Sequence, residues 1–407
     1  MSDNILDYLE KFGDKTFERL PFGEVDALIL SQFAYLKFDG LVPGPGESDS
    51  FITLKSIKKN ADFDRLFTDT RYEKVNRKLF ALMVSGKRFG GLSLAHYVNI
   101  VDTKRDIQFS AVTYRLPGGT GFVAFRGTDE NVVGWKEDFN LSIMERIPGE
   151  KEAVGYLKTA SGLLSGDFYV GGHSKGGLLS VYASSLVPDP IKKRIMNVYS
   201  FDGPAVREEF REKIGYGSIR DRIIKCVPQS SLVGMLFETD DIYSVVKSSG
   251  KGVGQHDPYT WVVKDIDLDH LKSLKKSAVI ISSALRDWLS KIDMEDRARF
   301  IDIVFGVADA CDSNDLVSMG VAPVKSMRQM IDGYEGMDDK EKEFLRTVIN
   351  AFIRDTGVQA KSEARAEWSE FVEGVDKWIE SVQGRIEEKQ IRKKSTKRNK
   401  KIQSEGV

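Results

Sequence analysis

One serine of this chain lies in a setting that activates hydroxyl groups. Ser174 is the centre of Gly172–Gly176 (GHSKG), a G-x-S-x-G pattern. Alone the pattern is weak, but the apolar residues before it predict a buried strand and the small residues after it predict a helix. So sharp a turn strains the serine backbone, excludes bulky neighbours at 172 and 176, and aims the hydroxyl at a helix N-terminus. The sequence therefore predicts Ser174 as a nucleophile.

The elements around this turn predict an α/β fold with a mostly parallel sheet. Ile107–Leu116 and Gly121–Arg126 flank a Pro-Gly-Gly turn and predict a β-hairpin. Helical patterns separate three further predicted strands, Phe168–Gly171, Val198–Phe201 and Ile223–Val227. Short strands that alternate with helices are typical of parallel sheets. Residues 1–20 and the apolar runs between Val25 and Ile100 have helical spacing instead.

A second motif precedes the nucleophile, in Ala124–Asp129 (AFRGTD) and Gly134–Phe139 (GWKEDF). Here the chain resembles the class 3 lipases of the α/β-hydrolase fold, whose pattern is an apolar strand ending in F-R-G-[ST] and then W-x-x-D. The resemblance covers roughly Ile107–Phe201. Through segments such as SSLVGML and QHDPYTW, the first domain is more similar still to a bacterial branch of this superfamily known mainly as a domain of unknown function. The resemblance implies a serine hydrolase fold and chemistry, but no substrate.

The resemblance also implies an oxyanion hole. Thr128 falls where the lipases place an oxyanion-hole residue, and the N–H of Lys175 would be the second donor. One such donor is typically worth about 10²–10³ in turnover. We interpret Arg126 and Asp138 as a structural ion pair that braces this loop, and we expect the Lys175 side chain to point to solvent.

Four histidines are available as the base that a serine nucleophile needs. His173 lies inside the predicted turn and is expected to pack under it, and His96 precedes the hydrolase strands. In the α/β-hydrolase order the acid and then the histidine follow the serine. His256, in a turn, is the predicted base, whereas His270 fits the surface of a predicted helix start.

The triad acid is open at the sequence level. The lipases carry it after the strand that corresponds to Ile223–Val227, but the matching position here is Ser231. Asp202 ends the previous strand, where pancreatic-type lipases place their acid, and a strand end holds a carboxylate more rigidly than a mobile loop. Asp202 is therefore favoured, with a turn-capping role as its rival. The alternatives on the following loop are Glu238, Asp240 and Asp241.

The predicted function is a serine esterase or lipase-like hydrolase that cleaves carboxylic esters, including lipid esters, through Ser174, His256 and Asp202 and an acyl-enzyme. The competing hypothesis is a catalytically inactive binding or scaffold protein on the same fold. Thioesterase or peptidase activity would use the same residues. A scaffold needs no such combination of serine, histidine, acid and donor loop, which favours the enzyme.

The predicted domains are an α/β-hydrolase domain at 1–266, a C-terminal helical domain at 267–388 and a basic disordered tail at 389–407. Lys389–Lys401 has eight basic and no acidic residues. A solvated tail is the favoured interpretation, and contact with an anionic membrane surface is the alternative.

Composition places few further restrictions on function. The chain has 60 basic and 61 acidic residues, a balance that does not predict a nucleic-acid partner. Its two cysteines, Cys226 and Cys311, lie far apart in apolar surroundings and are predicted to be buried free thiols. No signal peptide or membrane-spanning segment is predicted, so a reducing, cytoplasmic compartment is expected. No cofactor or metal is predicted either.

Overall fold

The computed structural model describes residues 3–128 and 148–283, apart from positions 69, 71, 103, 106, 232, 239–242, 277 and 280–281. The predicted helical domain and basic tail lie outside the described residues, except for the first part of that domain. The strands are β1 (Ile52–Thr53), β2 (Ser93–Asp102), β3 (Ile107–Arg115), β4 (Gly121–Phe125), β5 (Phe168–His173), β6 (Ile195–Phe201), β7 (Ile223–Pro228), β8 (Ser244–Val246), β9 (Val263–Lys264), β10 (Asp267–Leu268) and β11 (His270–Leu271).

Helices connect and cover these strands. The α-helices are α1 (Ile5–Phe12), α2 (Glu24–Phe33), α3 (Leu54–Lys58), α4 (Glu73–Ser85), α5 (Pro148–Leu163), α6 (Lys175–Leu186), α7 (Asp189–Lys192) and α8 (Glu208–Arg211). Short 3₁₀ helices span Phe63–Phe67, Tyr216–Ser218, Arg220–Arg222, Gly252–His256 and Pro258–Thr260.

The main sheet has nine strands in the order β1-β2-β3-β4-β5-β6-β7-β8-β11. The strands from β4 to β8 run parallel, and those at both edges pair antiparallel. The predicted hairpin is confirmed as β3 and β4, and the three predicted buried strands as β5, β6 and β7. Because β5 and β6 are parallel neighbours, the residues that follow them, Ser174 and Asp202, emerge at the same edge of the sheet.

Each face of the sheet is buried under helices. In β4, Phe122 and Ala124 pack into one apolar core, with side chains of α1, α2 and α4. Val123 and Phe125 point the other way and pack with side chains of α5 and α6. The strand is buried at all five positions because both of its faces are covered. The predicted α/β fold is confirmed.

Strands at both edges of the main sheet lie where the sequence predicted helix. Residues 93–102 form β2, although the region up to Ile100 has helical spacing. A register shift between Ala95 and Val98, with His96 at a φ of 54°, interrupts the strand and its alternation. At the other edge, β11 pairs with β8 beyond residue 266, so the sheet extends past the predicted domain boundary. His270 is therefore in an edge strand, and its assignment to a helix start was wrong.

An ion pair is buried beneath α2. The guanidinium of Arg88 donates to both carboxylate oxygens of Asp26, each at 2.5 Å, and both side chains are almost fully inaccessible. Arg88 also donates to the main-chain carbonyls of Lys15, Leu20 and Pro21. The pair therefore ties the turn before α2 to the segment that follows α4.

We expect Arg88→Met to lower the free energy of unfolding by about 3–5 kcal/mol, because it leaves the Asp26 carboxylate buried without its partner. The matched control is Arg77→Met. Arg77 pairs with Glu73 and Asp64 at the surface, where such pairs contribute about 1 kcal/mol or less. Equilibrium urea denaturation measures both, and equal losses would contradict the prediction.

Candidate active site

Ser174 joins β5 to α6 in a backbone conformation that non-glycine residues rarely adopt. Its φ is 59° and its ψ is −133°, a geometry that costs free energy and persists only where the surrounding structure enforces it. Its N–H donates to the carbonyl of Phe201 at 2.9 Å. Every residue of α6 from Lys175 to Ser185 is buried, so the helix holds the turn in place. This is the sharp strand-to-helix turn that the G-x-S-x-G pattern predicts.

The glycines of this motif are required by close backbone contacts. A Cβ on Gly172 would lie 2.4 Å from the backbone of Gly176, and a Cβ on Gly176 would lie 2.1 Å from the carbonyl oxygen of Phe125. Neither backbone can give way without moving β4 or α6. Any larger residue at 172 or 176 would therefore displace the serine.

Asp202 directly follows β6 and is 1% exposed. Its Oδ2 lies 2.6 Å from Nδ1 of His256. Its Oδ1 accepts hydrogen bonds from the Ser231 hydroxyl and, at 3.1 Å, from the N–H of Gly234. Both carboxylate oxygens are thus bonded, and the oxygen that faces His256 is fixed by the contacts of the other. This geometry can orient an imidazole and stabilise its cation.

The residue at the position where the lipases have their aspartate supports this carboxylate instead. Ser231 follows β7 and donates its hydroxyl to Asp202. Among the alternative acids, Glu238 accepts from the ammonium of Lys225 at 2.6 Å in a buried pair. Burial lowers the pKa of Lys225, and Glu238 opposes that shift. Asp240 and Asp241 lie outside the described residues. The structure thus brings Asp202 to His256 and gives Glu238 a different partner.

His256 ends the 3₁₀ helix Gly252–His256, with its side chain 26% exposed. Its ring lies 4.5 Å, centroid to centroid, from the ring of His173, the residue immediately before the nucleophile. The indole N–H of Trp261, which is fully buried, donates to the carbonyl of Gln255 at 2.9 Å and fixes the neighbouring main chain. The base predicted from the sequence therefore lies beside the strand end that carries Ser174.

The other three histidines have different surroundings from His256. Nε2 of His96 lies 2.7 Å from Asp49. Nε2 of His270 lies 2.6 Å from Glu24. His173 is buried, as expected for a residue under the turn. Only His256 contacts the Asp202 carboxylate among the histidine rings.

Gly127 and Thr128, which follow β4, run past the serine. A Cβ on Gly127 would lie 2.6 Å from the carbonyl oxygen of His173 and 3.0 Å from Cβ of Ser174. The chain therefore passes close enough to the nucleophile for the next residue, Thr128, to offer its N–H. Lys175 opens α6, so its N–H is one of the helix's first N–H groups, which have no partner within the helix.

The profile of the Mbeg1-like family matches residues 83–306, more than half of the chain. The chain belongs to the Mbeg1-like family. This family is lipase-like, which agrees with the α/β fold and with the resemblance that the motifs carry.

Solved structures and curated proteins add little to this Mbeg1-like assignment. The M37 lipase is 16% identical over 51% of this chain and 68% of its own, with a TM-score of 0.31. A mutant form of MDLA from Penicillium cyclopium is 12% identical over 65% of this chain and 85% of its own, with a TM-score of 0.35. Similarity at this level carries no argument about the site. No curated protein matches the sequence.

The side chain of Lys175 was expected to point to solvent, and in this Mbeg1-like chain that expectation was wrong. It is 1% exposed, and its ammonium donates to the main-chain and side-chain oxygens of Gln108 at 2.8 and 2.9 Å. Helix α6 packs against β4, β5 and β6. The aliphatic stem of Lys175 is therefore covered, and its ammonium reaches Gln108 of β3. Arg126 is also buried and donates to Asn99 at 3.0 Å. Its predicted partner Asp138 lies outside the described residues.

In 3–128 and 148–283, no group of three or more histidine, cysteine, aspartate or glutamate side chains could hold a metal ion. Cys226 is a buried free thiol, as predicted, and burial raises its pKa. Cys311 lies outside those ranges. Within the described part of the chain, no helix is both long and apolar enough to cross a bilayer.

Sequence reasoning missed three contacts of the Mbeg1-like site: the hydrogen bonds to Asp202 from Ser231 and Gly234, and the bond from the ring of His173 to the carbonyl of His256 at 2.7 Å. The first had one usable signal, since the replacement of an expected aspartate by a serine points to a hydroxyl donor. The others involve main-chain atoms and leave no sequence pattern.

Proposed function

We propose that this chain is a serine hydrolase that acts on carboxylic esters through Ser174, His256 and Asp202. The observation that carries the proposal is the 2.6 Å contact between Asp202 and Nδ1 of His256, beside a serine held in a strained turn. The family is lipase-like. The class 3 lipase pattern in Ala124–Asp129 and Gly134–Phe139 favours the same chemistry. A binding or scaffold protein would need neither the strained serine nor the oriented imidazole.

In the proposed reaction, Nε2 of His256 takes the proton of the Ser174 hydroxyl, which attacks the ester carbonyl. N–H groups of Thr128 and Lys175 stabilise the oxyanion. The imidazolium then protonates the departing alcohol, and a tetrahedral intermediate collapses to an acyl-enzyme. Water, deprotonated by the same imidazole, releases the acid and regenerates Ser174. Asp202 holds the proton on Nδ1 throughout and stabilises the cation.

For the substrate we propose a small-molecule or lipid ester. Contact of the basic tail with an anionic membrane surface is the alternative to the solvated tail that its composition favours. Such a surface would add about 1 kcal/mol for each basic residue near it.

A fluorophosphonate probe tests the proposal directly, because it reacts only with an activated serine. We expect the full-length chain to gain one phosphonyl group, which is the mass of the probe less the HF that is released, with the adduct on Ser174 in a peptide map. Ser174→Ala should gain none. The control is Ser184→Ala, which removes a serine hydroxyl from the same helix. A folded wild-type chain that stays unlabelled would support the scaffold hypothesis instead, and labelling at another serine would show that the nucleophile has been assigned to the wrong residue.

A further inference from the structure

The loop that carries the base is rich in glycine and needs an anchor. Gly250 precedes the 3₁₀ helix that ends at His256, and Gly252 and Gly254 lie within it. Glycines give a chain more freedom than any other residue. Asp202 fixes one ring nitrogen of His256, but a single bond leaves the ring free to pivot about it. The position of Nε2 relative to the serine therefore depends on what holds the main chain of His256.

A second imidazole holds that main chain. Nε2 of His173 lies 2.7 Å from the carbonyl oxygen of His256. A carbonyl oxygen only accepts hydrogen bonds, so Nε2 of His173 carries the proton and donates it. His173 is the last residue of β5, and the next residue is Ser174. One strand end thus carries the nucleophile and binds the main chain of the base.

The hydroxyl of Tyr35 fixes the other side of the same ring. It lies 3.0 Å from Nδ1 of His173. With the ring proton on Nε2, Nδ1 of a neutral imidazole has a lone pair that accepts the phenol O–H. A neutral ring also suits this position, because the rings of His173 and His256 are only 4.5 Å apart and His256 becomes a cation during the proposed reaction.

We propose that His173 is a positioning residue, oriented by Tyr35, that sets the distance between the imidazole of His256 and the hydroxyl of Ser174. This inference rests on the proposed function. His173 contacts the main chain of the base and transfers no proton to substrate. It gives the histidine of the G-x-S-x-G motif a role that packing under the turn does not require.

Two substitutions at this position form a matched pair. The amide nitrogen of a glutamine reaches about as far from Cα as Nε2 of histidine, whereas that of an asparagine reaches only as far as Nδ1. With a short-chain nitrophenyl ester, His173→Asn should lower kcat by up to about 100-fold, since a misplacement of the order of 1 Å has that cost. KM should change little, and the rate of fluorophosphonate labelling should fall by the same factor as kcat. His173→Gln should retain most of the wild-type kcat.

A measurement on the wild-type chain tests the position of the His173 ring proton without relying on activity. The chain has four histidines, so nitrogen-15 spectra of the imidazoles are simple, and the His173 signals are those absent from His173→Gln. We expect a proton on Nε2 of His173 and none on Nδ1. A His173 ring without a proton on Nε2 would overturn the inference.

The two proposals fail in different ways. If wild type is neither labelled nor active on esters, the proposed function fails. If wild type is labelled at Ser174 while a folded His173→Asn keeps the wild-type kcat, only the positioning role fails. Equal losses of kcat in His173→Gln and His173→Asn would also reject the positioning role, because the loss would then not depend on where the side-chain N–H donor lies.

Discussion

Replacing either Ser174 or His256 by alanine should lower kcat for a nitrophenyl ester by about 10⁶, and replacing both should lower it no further. The reason is that the hydroxyl attacks only when the imidazole takes its proton. Neither residue therefore contributes to the rate once the other is removed. What activity remains would come from the oxyanion donors Thr128 and Lys175, which both variants retain.

Steady-state hydrolysis of a short-chain ester by the two single variants and the double variant measures this non-additivity. His270→Ala is the matched control, because it removes an imidazole whose bond is to Glu24. It should keep the wild-type kcat. If His270→Ala abolishes activity while His256→Ala does not, the base has been assigned to the wrong histidine. Additive losses at Ser174 and His256 would show that the two residues do not act together.

The central strands of the fold could be predicted because strands that are buried on both faces are continuous apolar runs in the sequence. Strands β5, β6 and β7 are short apolar runs between helical stretches, and β3 and β4 flank a turn signal. The edges could not be predicted in the same way. Strand β2 is irregular at His96, and β11 has only two residues, so its pairing with β8 depends on main-chain bonds that no side-chain pattern records.

In the candidate site, too, the parts that local sequence determines could be predicted. The strand-helix context and the two glycines were enough to predict the turn at Ser174, because only glycine fits against Phe125 and across the turn. The pairing of Asp202 with His256 was favoured from strand order, and the structure brings the two within hydrogen-bond distance. Their catalytic roles remain predictions that the variants above test.

The rest of the site depends on three-dimensional contacts between distant segments. Tyr35 and His173 are 138 residues apart in sequence, and His173 bonds to a carbonyl 83 residues further on. Lys175 was expected at the surface because lysine usually is. Its position on the first turn of α6, packed against β3, instead buries the stem and leads the ammonium to Gln108.

The acid of the proposed triad gives the second large effect: Asp202→Asn should lower kcat by about 10⁴. The direction of the amide follows from the contacts of Asp202. The N–H of Gly234 can only donate, so the carbonyl oxygen of the new asparagine is expected at the Oδ1 position and its NH₂ group at Oδ2. That NH₂ group would donate to Nδ1 of His256 and force the ring proton onto Nε2, where it blocks removal of the proton from Ser174.

Because Asp202→Asn preserves the shape of the side chain, the free energy of unfolding should change far less than kcat. Measuring both quantities separates a loss of imidazole orientation from a loss of folding. Asp240→Asn and Asp241→Asn are matched changes at the alternative acids and should leave kcat near the wild-type value. Ser231→Ala should lower kcat much less than Asp202→Asn, since the N–H of Gly234 still fixes Oδ1. A collapse of activity at 240 or 241, with Asp202→Asn active, would move the acid to that loop and leave the 2.6 Å contact as a structural bond.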